Sequence, residues 1–108
     1  MIRVFIRSDM EGKITVKVKG HALSAKQGED LVCAAASAYV NQLAETIKAF
    51  DRNDWFVKKA RIHIEEGNAS LAYKPKTPYR GVVEYLTMMT TTGFDWLQKE
   101  YPEYVKLN

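Results

Sequence analysis

The sequence predicts an α+β fold: a two-layer ββαββα domain with two helices packed on a largely antiparallel sheet. Three observations carry that expectation. Four short stretches, at 2–7, 13–19, 60–65 and 69–73, alternate apolar and polar residues with the period of a half-buried strand. Two longer stretches, 31–50 and 79–101, repeat apolar residues at helical spacing. Their order along the chain, two strands then a helix and again two strands then a helix, is that of an α+β domain.

Each element has its own local reason. Ile2, Val4 and Ile6 alternate with Arg3, Phe5 and Arg7, and Ile14, Val16 and Val18 alternate with Thr15, Lys17 and Lys19 across the turn-rich segment 8–12, which reads as a hairpin. After Gly20 the alternation stops, and a polar segment bounded by Gly20 and Gly28 reads as a mobile loop. Gly28 argues against a helix already under way there, so Asp30 is the expected N-cap and Leu31 the expected first helical residue. Val32, Ala36, Tyr39, Leu43, Ile47 and Phe50 then form one apolar stripe. Trp55, Phe56 and Val57 are expected to cover an edge of the core. In the second hairpin Ile62 and Ile64 are expected to face inward and His63 outward. Residues 74–78 hold two prolines and must connect. In the second helix Val82, Leu86, Met89 and Leu97 mark the expected buried stripe, with Met88 and Met89 assigned to the core. Thr90, Thr91, Thr92 and Gly93 are poor helix formers, so packing must hold that part or the helix bends there. Pro102 ends the helix, and residues 105–107 either add a short strand or fray.

A chain of 108 residues is the size of one domain, expected to span 1–108, and can bury a core without metals or disulfides. Its 46% hydrophobic and 27% charged content is that of an ordinary soluble domain, and no apolar run approaches the length of a membrane span. The amino terminus is too quickly followed by Asp9 and Glu11 to read as a signal peptide, and one cysteine forms no internal disulfide, so the expected compartment is the cytoplasm. A net charge of +3 allows an acidic or nucleic-acid partner without demanding one, and direct nucleic-acid binding is not expected. Lys58, Lys59 and Arg61 read as a solvated strand entrance. There is no Gly-rich phosphate loop, CxxC pair or HExxH, so nucleotide and zinc chemistry lack their usual residues; no cofactor and no metal are expected.

Chemistry concentrates in Gly20 to Ser37, GHALSAKQGEDLVCAAAS, which holds Cys33, His21 and Asp30. Cys33 is either a small packed side chain or a thiol with a chemical role. On a helical wheel it sits at the edge of the apolar stripe, where core meets solvent, and with Asp30 as N-cap it would be the third helical residue, where unpaired N–H groups favour a thiolate. His21, just past the second strand, lies where a helix packing back on that strand begins, so an imidazole–thiol pair is within reach of the chain path. Asp30 either caps the helix or orients His21. Ser37 either supports the site with a hydrogen bond or satisfies itself on the helix backbone. Ala34 and Ala35 are small residues that leave room beside the sulfur.

The string Gly20-His21-Ala22, eight residues, then Asp30-Leu31-Val32-Cys33-Ala34-Ala35-Ala36-Ser37 closely resembles the signature of the ribosomal-processing cysteine proteases of bacteria, the Prp family. The resemblance runs over the full length, to the E-Y-P-E-Y sequence at Glu100 to Tyr104. It implies a homodimeric cysteine endopeptidase with Cys33 as nucleophile and His21 as general base and acid. The implied activity removes the amino-terminal extension of a large-subunit ribosomal protein, the twenty-seventh in the usual naming, after paired aromatic residues. On this reading His21 takes the thiol proton, Cys33 attacks the scissile carbonyl, and N–H groups at the helix start, including that of Cys33, receive the oxyanion. The loop of Ala22, Leu23, Ser24, Ala25, Lys26, Gln27, Gly28 and Glu29 would close over the peptide, with its terminal glycines as hinges. The competing class is a non-enzymatic RNA- or ribosome-binding module using Arg3, Arg7, Lys17 and Lys19, which leaves Gly20 to Ser37 without a reason. A redox sensor using Cys33 alone would leave His21 unexplained.

Overall fold

The structure is a computed structural model that describes residues 1–20 and 27–108, and of residues 27–30 the backbone. Two helices lie on one face of a five-stranded mixed sheet. The elements in chain order are β1 (Ile2–Ser8), β2 (Ile14–Lys19), α1 (Gln27–Arg52), β3 (Arg61–Glu65), β4 (Asn68–Tyr73), a 3-10 turn (Thr77–Tyr79), α2 (Arg80–Glu100) and β5 (Val105–Leu107). Strand order is β3-β4-β2-β1-β5, with every neighbouring pair antiparallel except β1 and β5. Both expected hairpins form, and they join through β2 and β4, with Val16 opposite Leu71 and Val18 opposite Ala69. The short parallel β5 returns the chain to the far edge, and it is the strand that the sequence left open between pairing and fraying.

The period-two pattern does what it encodes. Ile2, Val4, Ile14, Val16, Val18, Ala69, Leu71, Tyr73 and Val105 point from the sheet into one core, where they meet Val32, Ala36, Val40, Leu43, Ala44 and Ile47 of α1. Each fully buried Leu, Ile or Val contributes about 1.5–3 kcal/mol against conformational entropy. At the end of α1 the backbone turns through Asp54 at φ 60, and Trp55 stacks between Phe50 and Tyr79 at 4.3 and 4.5 Å. That stack, with Phe56 buried beside Tyr73, seals the edge of the core as the sequence suggested. Val57 does not take part and is exposed.

The second helix departs from expectation in phase. Its buried residues are Val83, Thr87, Phe94 and Leu97, whereas Val82, Met88 and Met89 lie in solvent. Leu97 is buried as its spacing predicts and Leu86 is half-buried, but the helix carries apolar residues on two sides, and spacing alone puts Val82 and Met89 on the wrong one. Threonine is the side that counting misses: Thr87 and Thr91 donate to the carbonyls of Val83 and Thr87 at 2.9 and 3.1 Å, which lets a hydroxyl enter the core satisfied. The helix also runs unbroken through 90–93. Gly93 explains this, because an added Cβ would meet the Tyr39 ring at 3.1 Å; the glycine lets α1 and α2 approach, and Tyr39 packs edge-on to Phe94 at 5.4 Å.

The buried Tyr73 hydroxyl lies 2.8 Å from Thr87 Oγ1, and since Thr87 donates onward to Val83, Tyr73 is the donor between them. Burial pushes the Tyr73 pKa from 10.0 up to about 12. The unfolded chain loses this proton near its ordinary value and the folded chain only near the raised one. Between them the native state holds more protons, so stability is intact below pH 10 and falls as pH rises towards 12. Urea unfolding across this window is expected to show wild type losing about 2–3 kcal/mol relative to Tyr73→Phe, which has no proton to lose.

Candidate active site

The amino end of α1, the end of β2 and the β3–β4 turn enclose an open cleft of about 630 Å³. Cys33 lies in its wall, half-buried, as its place at the edge of the α1 stripe requires. The next turns of α1 add Ala36, Ser37, Val40 and Asn41, at the spacings that share a helix face. Ser37 thus lines the same cleft one turn beyond the thiol. Ala36 shares the cleft lining with Cys33, whereas Ala34 faces solvent and Ala35 packs half-buried against the core.

The opposite wall comes from Ile64, Glu65, Glu66, Gly67, Asn68 and Ala69, none of which the sequence marks as site residues. Ile64 corrects an expectation: it is 39% exposed, because it borders the cleft instead of entering the core. Asn68 places a buried Oδ1 here that has no hydrogen-bond partner among the described residues. The signal for these residues is non-local, since only the β2–β4 pairing, with Lys19 opposite Asn68, brings the turn to the end of β2. Glu65 is held below the usual carboxylate range chiefly by its hydrogen bond with His63, whose Nε2 lies 3.2 Å away. His63 itself is a solvent residue, as its strand position suggested.

Gly20 is the fixed point of the floor. Its φ is +110°, its N–H donates to the Gly67 carbonyl at 3.0 Å, and an added Cβ would overlap the Met1 carbonyl oxygen. It therefore acts as an anchor, not the hinge expected of it. The chain leaves this anchor directly into His21, which with Ala22, Leu23, Ser24, Ala25 and Lys26 lies outside the described residues.

The start of α1 requires a second correction. The helix begins at Gln27, so Gln27, Gly28 and Glu29 are its first residues and not loop, and Gly28 is no hinge. Asp30 falls in the first turn, past the N-cap position expected for it. Cys33 is consequently the seventh helical residue, beyond the four N–H groups that a helix leaves unpaired, so neither helix-start activation of the thiol nor an oxyanion site at its own N–H holds in this arrangement. The glycine was read as a breaker, but its cost of about 1 kcal/mol in a helix is one that packing of the Val32 stripe can override. Among the described residues no cluster of three metal-ligating side chains occurs, and no helix is long and apolar enough to cross a membrane.

A thiol in the wall of an open groove, with Ser37 one turn away and Gly20, the sequence neighbour of His21, in the same lining, is an arrangement suited to a cysteine hydrolase acting on an extended substrate. The sequence profile of the family described as cysteine protease Prp matches residues 1–106, and the chain belongs to that family. It is a cysteine peptidase, and the reading as a non-enzymatic RNA-binding module falls. No curated protein sequence matches it significantly. Its architecture is similar to that of an essential ribosomal processing protease Prp from S. aureus solved with a substrate peptide, at 23% identity and TM-score 0.73 over 100% of this chain and 98% of that one. The same S. aureus protease with a covalently linked product peptide matches at 24% identity and TM-score 0.69, with the same coverage. A Streptococcus mutans protein matches at 22% identity and TM-score 0.72, over 100% of this chain and 92% of that one.

Proposed function

We propose that this chain is a cytoplasmic maturation endopeptidase that removes the amino-terminal extension of a large-subunit ribosomal protein, the twenty-seventh, through a Cys33–His21 dyad and an acyl-enzyme. The observation that carries the proposal is that Cys33 and Gly20, the residue from which His21 departs, line one cleft. His21 takes the thiol proton; the Cys33 sulfur attacks the scissile carbonyl; His21 returns the proton to the leaving amine; water then releases the extension. Because Cys33 lies past the helix start, activation of the thiol falls to His21 and not to the helix dipole. The apolar wall of Ile64, Val40 and Ile2 suits aromatic side chains. The similar S. aureus structures, with substrate and product peptides, support a peptide in this groove. Asp30, one turn before Cys33, is left with the orienting role, and Ser37 with a supporting hydrogen bond. The test is incubation of the purified protein with the extended and the mature forms of that ribosomal protein. Mass spectrometry is expected to show one cut, after the paired aromatic residues, in the extended form alone; an intact extended form would overturn the substrate assignment.

The proposal includes a homodimer formed through α2. Val82, Tyr85, Met89 and Trp96 are 49–69% exposed and fall within a narrow arc of the helix, opposite its buried side. An apolar stripe of this kind marks an interaction surface. Met89→Glu is expected to shift the sedimentation coefficient from dimer to monomer while leaving the melting temperature of the monomer fold nearly unchanged.

A further inference from the structure

The sheet face turned away from the helices carries a charge pattern that the net charge conceals. Alternation puts Arg3, Arg7, Lys17, Lys19, Arg61 and Lys106 on this face; the register sets Lys106 beside Arg3 beside Lys19, whereas Arg7 and Arg61 share a row with two strands, at Thr15 and Ala72, between them. Glu65 is the one carboxylate among the strand residues of the face. Six cations and one carboxylate leave a formal +5 on one face of a chain whose net charge is +3, so everything else sums to −2. Near its centre Arg3, Phe5, Lys17 and Lys19 line a shallow depression of about 290 Å³, and the half-buried Phe5 ring lies under the Arg7 guanidinium at 4.1 Å.

We propose that this face binds single-stranded RNA. Lys106, Arg3 and Lys19 form one row across three neighbouring strands about 5 Å apart, and Lys17 stands about 7 Å along β2 from Lys19, which sets phosphate contacts around Phe5. Phe5 supplies a π-face, and the arginine over it shows that the ring already takes a cationic, planar neighbour. A second copy of the chain does not fit here, because two faces of +5 repel. Nor does the basic tail of a ribosomal protein. The peptidase cleft is walled by α1 and the β3–β4 turn and shares no lining residue with this depression, so RNA and peptide can be held together. The inference stands apart from the identity of the peptide substrate and replaces the expectation, drawn from net charge, that the chain does not contact nucleic acid. The sequence groups Arg3, Arg7, Lys17 and Lys19 on one hairpin; the fold adds Arg61 and Lys106 to the same face.

The test is fluorescence anisotropy with a fluorescein-labelled 16-nucleotide oligouridylate, titrated with the full chain between 50 and 200 mM KCl. Saturable binding is expected, with log K falling against log salt with a slope of about −3 to −4, since each phosphate neutralised on a single strand contributes about −0.7. Arg3→Glu/Lys17→Glu is expected to lose at least about tenfold in affinity at 100 mM salt, and Arg3→Gln/Lys17→Gln an intermediate amount. Lys48→Glu/Lys99→Glu, which changes net charge equally on the helices, is expected to stay within about twofold. Cleavage of a short peptide by the face variants is expected to be unchanged. Absence of saturable binding at 50 mM salt would overturn the proposal. So would equal losses in the two charge-reversed variants, which would show a net-charge effect, or displacement of the RNA by polyglutamate as effectively as by unlabelled RNA, which would show an acidic protein surface to be the occupant.

Discussion

Cys33→Ala is expected to abolish cleavage of the extended precursor, with kcat/KM reduced at least about a thousandfold, and His21→Ala to reduce it about 10²- to 10⁴-fold. The two effects should not add, because without the thiol the base has no proton to take. Stability separates chemistry from folding. Cys33 is half-buried in the cleft wall, so removing its sulfur is expected to cost about 1 kcal/mol or less and to leave the melting curve nearly in place. Steady-state cleavage and thermal melts of the same samples check both halves. Retained folding with lost cleavage is the signature of a nucleophile, whereas a packing cysteine would lose neither.

Gly20→Ala is expected to be the most damaging single methyl group in the chain. The backbone at Gly20 occupies φ +110°, which an L side chain rarely adopts, and the new Cβ would overlap the Met1 carbonyl oxygen, backbone that cannot turn aside like a side chain. Met1 leads directly into β1, whose residues pair with β2 on one side and β5 on the other, so relief of the clash must disturb two strand pairs or break the Gly20–Gly67 hydrogen bond. A cost of about 2–4 kcal/mol follows, and with it a fall in Tm of roughly 10–20 °C. Because the chain passes from this anchor into His21, cleavage is expected to fall further than the unfolded fraction explains. Gly81→Ala is the matched control: nothing lies within 4 Å of its added Cβ, it sits in α2, and it is expected to stabilise by about 0.5–1 kcal/mol.

Local periodicity made much of this fold legible. Ile2, Val4, Ile14, Val16 and Val18 alternate without interruption, and the stripe from Val32 to Ile47 has a single apolar side, so both hairpins and the core face of α1 followed from spacing. In α2 the same method places Leu97 in the core but puts Val82, Met88 and Met89 there wrongly, because that helix is apolar on its exposed side too and buries Thr87 through a hydrogen bond to its own backbone. The start of α1 was misplaced because Gly28 was given its intrinsic cost without the packing that offsets it. At the site, Cys33 and Ser37 were legible as neighbours on one helix; His21, marked by motif and chain path, lies outside the described residues. Ile64, Asn68 and the acidic turn were not, since their approach to Cys33 depends on β4 pairing with β2 across about fifty intervening residues. Nor did the sequence show what Gly20 is for. The motif marks it, but only its crossing of the Met1 carbonyl shows why a residue without a side chain must precede the histidine.

The most direct measurement of the central claim is intact-mass spectrometry of the protein, acid-quenched during turnover of the extended precursor. The expected species is the chain plus the mass of the extension less one water, mapped by peptide digestion to a thioester on Cys33 and absent from Cys33→Ala. Cleavage that proceeds undiminished in Cys33→Ala, with no such adduct on the wild-type chain, would contradict the account.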